Sequence, residues 1–77
     1  MQAAGLGKRF KSEVKATILR IQAGPEIWPT EKGEIRRCLL HKFPFKVLYS
    51  IEKDYIYIVA VAHCHRRPEY WIDRLPS

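Results

Sequence analysis

The spacing of apolar residues changes once along this chain, at Ala23-Gly24-Pro25, and this change limits the folds that the sequence can adopt. Before it, apolar residues recur at steps of three and four, which is typical of one face of an α-helix. Gly24 and Pro25 end this pattern, because glycine accepts the left-handed cap conformation and proline cannot continue the helical hydrogen bonds. We therefore predict a helix over about 7–22, with an apolar face formed by Leu6, Phe10, Val14, Ile18 and Ile21.

After this helix the pattern becomes typical of β-structure. We predict a loop over 26–33, with Ile27 and Trp28 packed against the protein body, and then strands over 35–42, 45–52 and 55–63. Lys53-Asp54 makes a tight turn before the last strand, which is apolar at nearly every position and is therefore predicted to be central, with both faces covered. Pro68 is suited to the start of a short helix over 69–75. The predicted fold class is α+β: a three-stranded antiparallel sheet with an N-terminal helix packed on it and a short C-terminal helix.

The length and the charge restrict the class of protein. Seventy-seven residues suffice for one domain, predicted to span 1–77. The net charge of +6 favours a polyanionic partner: nucleic acid, an acidic protein segment or a membrane surface. No apolar run approaches the roughly 20 residues that a membrane span needs, and no signal peptide is recognisable, so we expect a cytoplasmic protein.

The two cysteines are interpreted as free thiols. Cys38 and Cys64 are 26 positions apart with no CxxC spacing. A zinc site that adds His41, His63 and His65 is disfavoured, because alternation along a strand turns neighbouring ligands to opposite sides. We assign no metal and no other cofactor.

Three segments in order carry a resemblance to a known family: GLGKRF at 5–10, IRRCLLHKFPFKVLYSI at 35–51 and YIYIVAVAHCHRRPEYWIDRL at 55–75. Together they resemble the RelE/ParE toxins of type II toxin–antitoxin systems, which include plasmid stabilisation proteins. The most specific parts are Phe-Pro-Phe before an apolar strand and His-x-x-Arg-Arg-Pro-x-Tyr-Trp after the last one. The resemblance implies a growth-inhibiting toxin that is neutralised by an antitoxin bound over its sheet and helix.

Members of this family usually begin with a further strand and helix. Here Met1 lies only four residues before Gly5, so we expect an N-terminally truncated relative with an exposed helix face and an open sheet edge. The antitoxin is predicted to contact Leu6, Phe10, Val14, Ile18 and Ile21. A second copy of the chain is another predicted partner for the open edge or the helix face.

The family has two branches, and the residues leave both open. One branch cleaves messenger RNA on the ribosome, which requires groups that transfer protons and cations that stabilise the phosphorane. For that branch His65, Tyr70 and Arg67 are the catalytic candidates, and His63 is an alternative acid–base group that could instead close its strand through a hydrogen bond. Trp71 is an alternative occupant of the family's catalytic tyrosine position, and an indole cannot serve there.

The other branch poisons DNA gyrase by binding, and the departure at Trp71 slightly favours it. Basic residues next to aromatic ones favour a single cationic surface, and the alternative is that the same arginines are scattered solvated charges. A third reading is an inactive relative that only binds antitoxin. The predicted surface for the target, gyrase or the ribosome with its messenger RNA, consists of Arg36, Arg37, Lys46, His63, Arg66, Arg67 and Trp71.

Overall fold

The computed structural model describes the backbone of residues 4–64 and the side chains of residues 7–64. A single helix, α1, is followed by an antiparallel sheet with strand order β1-β2-β3-β4. This confirms the α+β class, the N-terminal helix and the antiparallel sheet, while the helix predicted over 69–75 lies outside the described residues. The bounds are α1 Ala4–Ala23, β1 Thr30–Lys32, β2 Ile35–Leu39, β3 Phe45–Ile51 and β4 Ile56–His63.

The described sheet has four strands, so the prediction of three was wrong. The additional strand, β1, lies within the predicted loop over 26–33 and pairs with β2. Gly33 joins the two strands with φ of 57°, a left-handed conformation that glycine adopts without steric cost. β1 has only three residues and an irregular register, and tertiary pairing rather than an apolar alternation makes it a strand.

The centre of the described sheet is β3, and β4 lies at its edge, which corrects the prediction that the last strand is central. β3 pairs with both β2 and β4, and Val47, Leu48 and Tyr49 are completely buried. In β4 the pairing shifts between Ile58 and Ala60, so Val59 is an extra residue in that strand. The apolar run of β4 is therefore nearly continuous for two reasons: most of its side chains are partly or fully buried, and the extra residue Val59 interrupts the alternation of side chains between the two faces.

The two faces of the sheet have different apolar clusters. On the helix face, defined here as the face against which α1 packs, Ile21 is fully buried with Cys38, Val47 and Tyr49. On the opposite, outer face, Leu48 is buried with Ala60 and Ala62, and Ile35 and Val59 pack against them. The strands thus bury apolar side chains on both faces, and functional side chains must occupy the positions of the sheet that these clusters leave accessible.

Polar contacts hold α1 against the segment that joins β2 to β3. The carboxylate of Glu13 accepts a hydrogen bond from the backbone N–H of His41 at 2.8 Å. About two turns further along the helix, the Arg20 guanidinium donates to the carbonyl of Leu39, the last residue of β2, at 3.2 Å and to the Thr17 hydroxyl oxygen at 3.0 Å. The buried Thr17 hydroxyl in turn donates to the Glu13 carbonyl, so these bonds fix the helix against the end of the sheet where β2 connects to β3.

Two neighbouring apolar residues after the helix behave differently. Trp28 is half-buried against the helix-face cluster, as predicted. Ile27 is 73% exposed, so its predicted packing against the body was wrong. No helix within residues 4–64 is both long and apolar enough to cross a membrane.

Candidate functional site

Two of the predicted target-binding residues meet on the outer face around a carboxylate. Lys46 of β3 and Arg37 of β2 lie on this face, two residue pairs apart along the two strands. The Lys46 ammonium is 2.6 Å from Glu31 Oε2, and the Arg37 guanidinium is 3.7 Å from Glu31 Oε1. We call Glu31, Arg37 and Lys46 the outer-face cluster.

The outer-face cluster is shielded on one side and open on the other. The side chains of Lys46 and Glu31 are 16% and 15% exposed, whereas that of Arg37 is 38% exposed. Arg37 is further oriented by donating to the Thr30 carbonyl at 2.7 Å. Since one carboxylate faces two cations, the cluster has a formal surplus of one positive charge, and Arg37 presents it to solvent.

Glu31 is a residue of this site that the sequence analysis missed. It lies on β1, within the segment that was predicted to be a loop. The local signals were a β-branched Thr30 before it and Gly33 after it, which together suit a short hairpin. Because the strand has only three residues, neither signal was sufficient to predict it.

Arg36 lies on the helix face, away from Arg37. It donates to the carbonyls of Trp28 at 2.6 Å and Glu26 at 3.3 Å. Beside it, the Tyr49 hydroxyl donates to the Pro25 carbonyl at 2.7 Å. Both side chains therefore hold the connection between α1 and β1, and the structure does not bring Arg36 to the outer-face cluster.

His63 also lies on the helix face. Its ring contacts Phe45 edge-on, with centroids 4.8 Å apart. Phe45 in turn contacts Phe10 of α1 at 5.1 Å, and Phe10 contacts Phe43 at 5.3 Å. His63 thus ends a row of aromatic rings, and the thickness of the sheet separates it from Arg37 and Lys46.

Burial affects two groups in the helix-face core. Burial raises the pKa of the Cys38 thiol, and nearby Arg20 opposes this only in part. Burial likewise raises the pKa of Tyr49, again against the opposing charge of Arg36. Both groups stay protonated near neutral pH, which is unsuitable for a thiolate nucleophile or a phenolate base. Among the described residues no three His, Cys, Asp or Glu side chains form a group that could hold a metal ion.

The predicted antitoxin-binding residues divide into accessible and inaccessible members. Phe10, Val14 and Ile18 line a shallow, mostly apolar groove of about 480 Å³, together with Val61 of the edge strand. Its other lining residues are Lys11 and Lys15. Ile21 is fully buried in the core, and the side chain of Leu6 is not among those described.

The remaining predicted site residues fall outside the described part of the chain. These are His65, Arg66, Arg67, Tyr70 and Trp71. Of the predicted site residues that the structure describes, Arg37 and Lys46 lie on a cationic surface of the outer face, and Phe10, Val14 and Ile18 lie in an apolar groove beside α1. No protein-family model matches this sequence, and comparisons with curated proteins and with solved structures find no significant match.

Proposed function

We propose that this chain is a ParE-like toxin that inhibits growth in the cytoplasm by binding DNA gyrase, and that a cognate antitoxin neutralises it. The observation that carries the proposal is the separation of His63 from Arg37 and Lys46 by the sheet. The proposed family rests on the resemblance of the segments at 5–10, 35–51 and 55–75, and the α+β fold is compatible with that family.

The separation counts against His63 as the acid–base group of an RNA-cleaving site built on Arg37 and Lys46, and in this respect it favours a binding function. A ribonuclease that uses the 2′-hydroxyl needs its proton-transfer groups and its cations around the same phosphate. On the outer face, Arg37 and Lys46 share Glu31, and the imidazole of His63 lies on the other side of the sheet. A binding surface needs only accessible charge and shape, which Arg37 supplies.

The groove beside α1 supports the antitoxin part of the proposal. Its apolar wall of Phe10, Val14 and Ile18 suits an amphipathic helix, and Lys11 and Lys15 suit acidic residues beside that helix's apolar stripe. Val61 brings the groove to the edge strand β4, where an added strand of the antitoxin could pair. Ile21 contributes by supporting the helix from within the core.

The target is tested by comparing gyrase supercoiling with messenger RNA cleavage on translating ribosomes. We expect the wild-type chain to inhibit supercoiling and Arg37→Glu to lose most of this inhibition, because the reversed charge repels an anionic surface. Lys53→Glu, in the exposed β3–β4 turn, is the matched charge control and should retain inhibition. Cleavage in the ribosomal A site that disappears in Tyr70→Phe or His65→Ala would instead establish the RelE-like ribonuclease.

The antitoxin part of the proposal is tested separately, with any antitoxin-like protein that the adjacent genes encode. We expect Val14→Lys to weaken its binding at least tenfold, because a charge then enters the apolar groove. Leu19→Lys, on an exposed position of the same helix, should leave binding unchanged. Antitoxin binding without inhibition in either target assay would identify a relative that only binds antitoxin.

A further inference from the structure

A second concave surface lies between α1 and the segment that joins β2 to β3. This cleft has a volume of about 760 Å³ and shares no lining residue with the apolar groove or the outer-face cluster. Ser12 and Ala16 are small, so the helix leaves space along this side. The lining residues are Lys8, Arg9, Ser12, Glu13, Ala16, Lys42 and Phe43.

The cleft is cationic on both of its walls. Lys8 and Arg9 come from the helix and Lys42 from the opposite segment, and all three are exposed. None of them pairs with a carboxylate within residues 7–64. The single acidic lining residue, Glu13, is held by the His41 backbone N–H at 2.8 Å. Three cations against one carboxylate leave a formal charge of +2 in the cleft.

We propose that this cleft binds the phosphate backbone of single-stranded nucleic acid. Lys8, Arg9 and Lys42 provide ammonium and guanidinium donors on two walls, and the Ser12 hydroxyl adds a neutral donor between them. The half-buried Phe43 lines the same space, and grooves for single strands combine cations with aromatic side chains. The proposal does not depend on the toxin assignment, because different residues carry it.

An acidic peptide fits this cleft less well than a nucleic acid strand. Peptide partners gain most of their affinity from apolar anchors in apolar pockets, as the groove along Phe10 and Val14 would offer. The cleft is more polar than that groove, because Lys8, Arg9 and Ser12 place charged and hydroxyl groups in it beside the apolar Ala16 and Phe43. Such groups suit a ligand whose contacts are mainly anionic oxygens.

The test is fluorescence anisotropy of a labelled single-stranded RNA of about 12 nucleotides, titrated at several salt concentrations. One variant combines Lys8→Gln, Arg9→Gln and Lys42→Gln. The control combines Lys11→Gln, Lys15→Gln and Lys53→Gln, which are also exposed. Each triple variant removes three positive charges, so both take the formal net charge from +6 to +3.

We expect the cleft variant to bind at least tenfold more weakly than the control, with both variants folded by circular dichroism. The slope of log affinity against log salt concentration should also be smaller in magnitude by about 2 for the cleft variant. Each phosphate contact to a single strand contributes about 0.7 to this slope, and the variant removes three cations. Equal weakening in the two variants would overturn the proposal, since net charge alone would then explain binding. Equally tight, cleft-dependent binding of poly-glutamate at matched charge would also overturn it, in favour of an acidic protein partner.

Discussion

Replacing Glu31 by glutamine tests whether the outer-face cluster contributes to stability. The substitution keeps the size of the side chain but removes the negative charge between Lys46 and Arg37. The amide oxygen can still accept a hydrogen bond from Lys46. The loss of stability should therefore come mainly from the electrostatic attraction that Glu31 no longer provides to the two cations.

The exposure of the pair sets the expected magnitude. Ion pairs on the surface contribute about 0.2–1 kcal/mol, whereas breaking a fully buried pair costs about 3–5 kcal/mol. Lys46 and Glu31 are 2.6 Å apart and 16% and 15% exposed, which lies between these limits. We expect Glu31→Gln to reduce the free energy of unfolding by about 1–2 kcal/mol. For a domain of this size that corresponds to a melting temperature lower by about 4–16 °C.

The assay is urea denaturation of Glu31→Gln, Lys46→Met and the double variant. The matched control is Glu34→Gln, which removes an exposed carboxylate three residues away and should change stability by less than about 0.5 kcal/mol. The double-mutant cycle should give a coupling energy near 1 kcal/mol. Additive single effects, or a Glu31→Gln loss equal to that of Glu34→Gln, would refute the reasoning.

Two further substitutions test the helix-face core by urea denaturation. Tyr49→Phe removes the donor to the Pro25 carbonyl and should cost about 0.5–1.5 kcal/mol at neutral pH. Burial raises the pKa of Tyr49 above its ordinary 10.0, so the stabilisation from the protonated hydroxyl is complete below that pH and is lost as the pH rises further. Tyr49→Phe should therefore flatten the decline of the free energy of unfolding at alkaline pH. An unchanged decline would contradict this. Ile21→Ala should cost about 2–5 kcal/mol, because the side chain is fully buried, and Leu19→Ala, at 60% exposure, should cost under about 1 kcal/mol. Similar losses in the two alanine variants would mean that the helix packs with another face.

Local physical chemistry predicted most of the secondary structure. The helix over 7–22 agrees with α1 at Ala4–Ala23, because its apolar spacing and the Gly24-Pro25 terminus act within a few residues. The turn at Lys53-Asp54 is confirmed by the bond from Glu52 N–H to the Tyr55 carbonyl. The strand predicted over 35–42 ends earlier, at Leu39, because the chain bends over residues 41–44 to return along β3.

The sequence by itself determined helix α1, strands β2 to β4 and the presence of Arg37 and Lys46 as cations on adjacent strands. Only the tertiary structure decided that Glu31 joins them, because a three-residue strand is stabilised by pairing with β2 and has no apolar pattern of its own. It also placed β4 at the edge of the described sheet and His63 on the helix face. Strand order and the extra residue at Val59 depend on contacts between distant segments, which the spacing of residues within one segment does not encode.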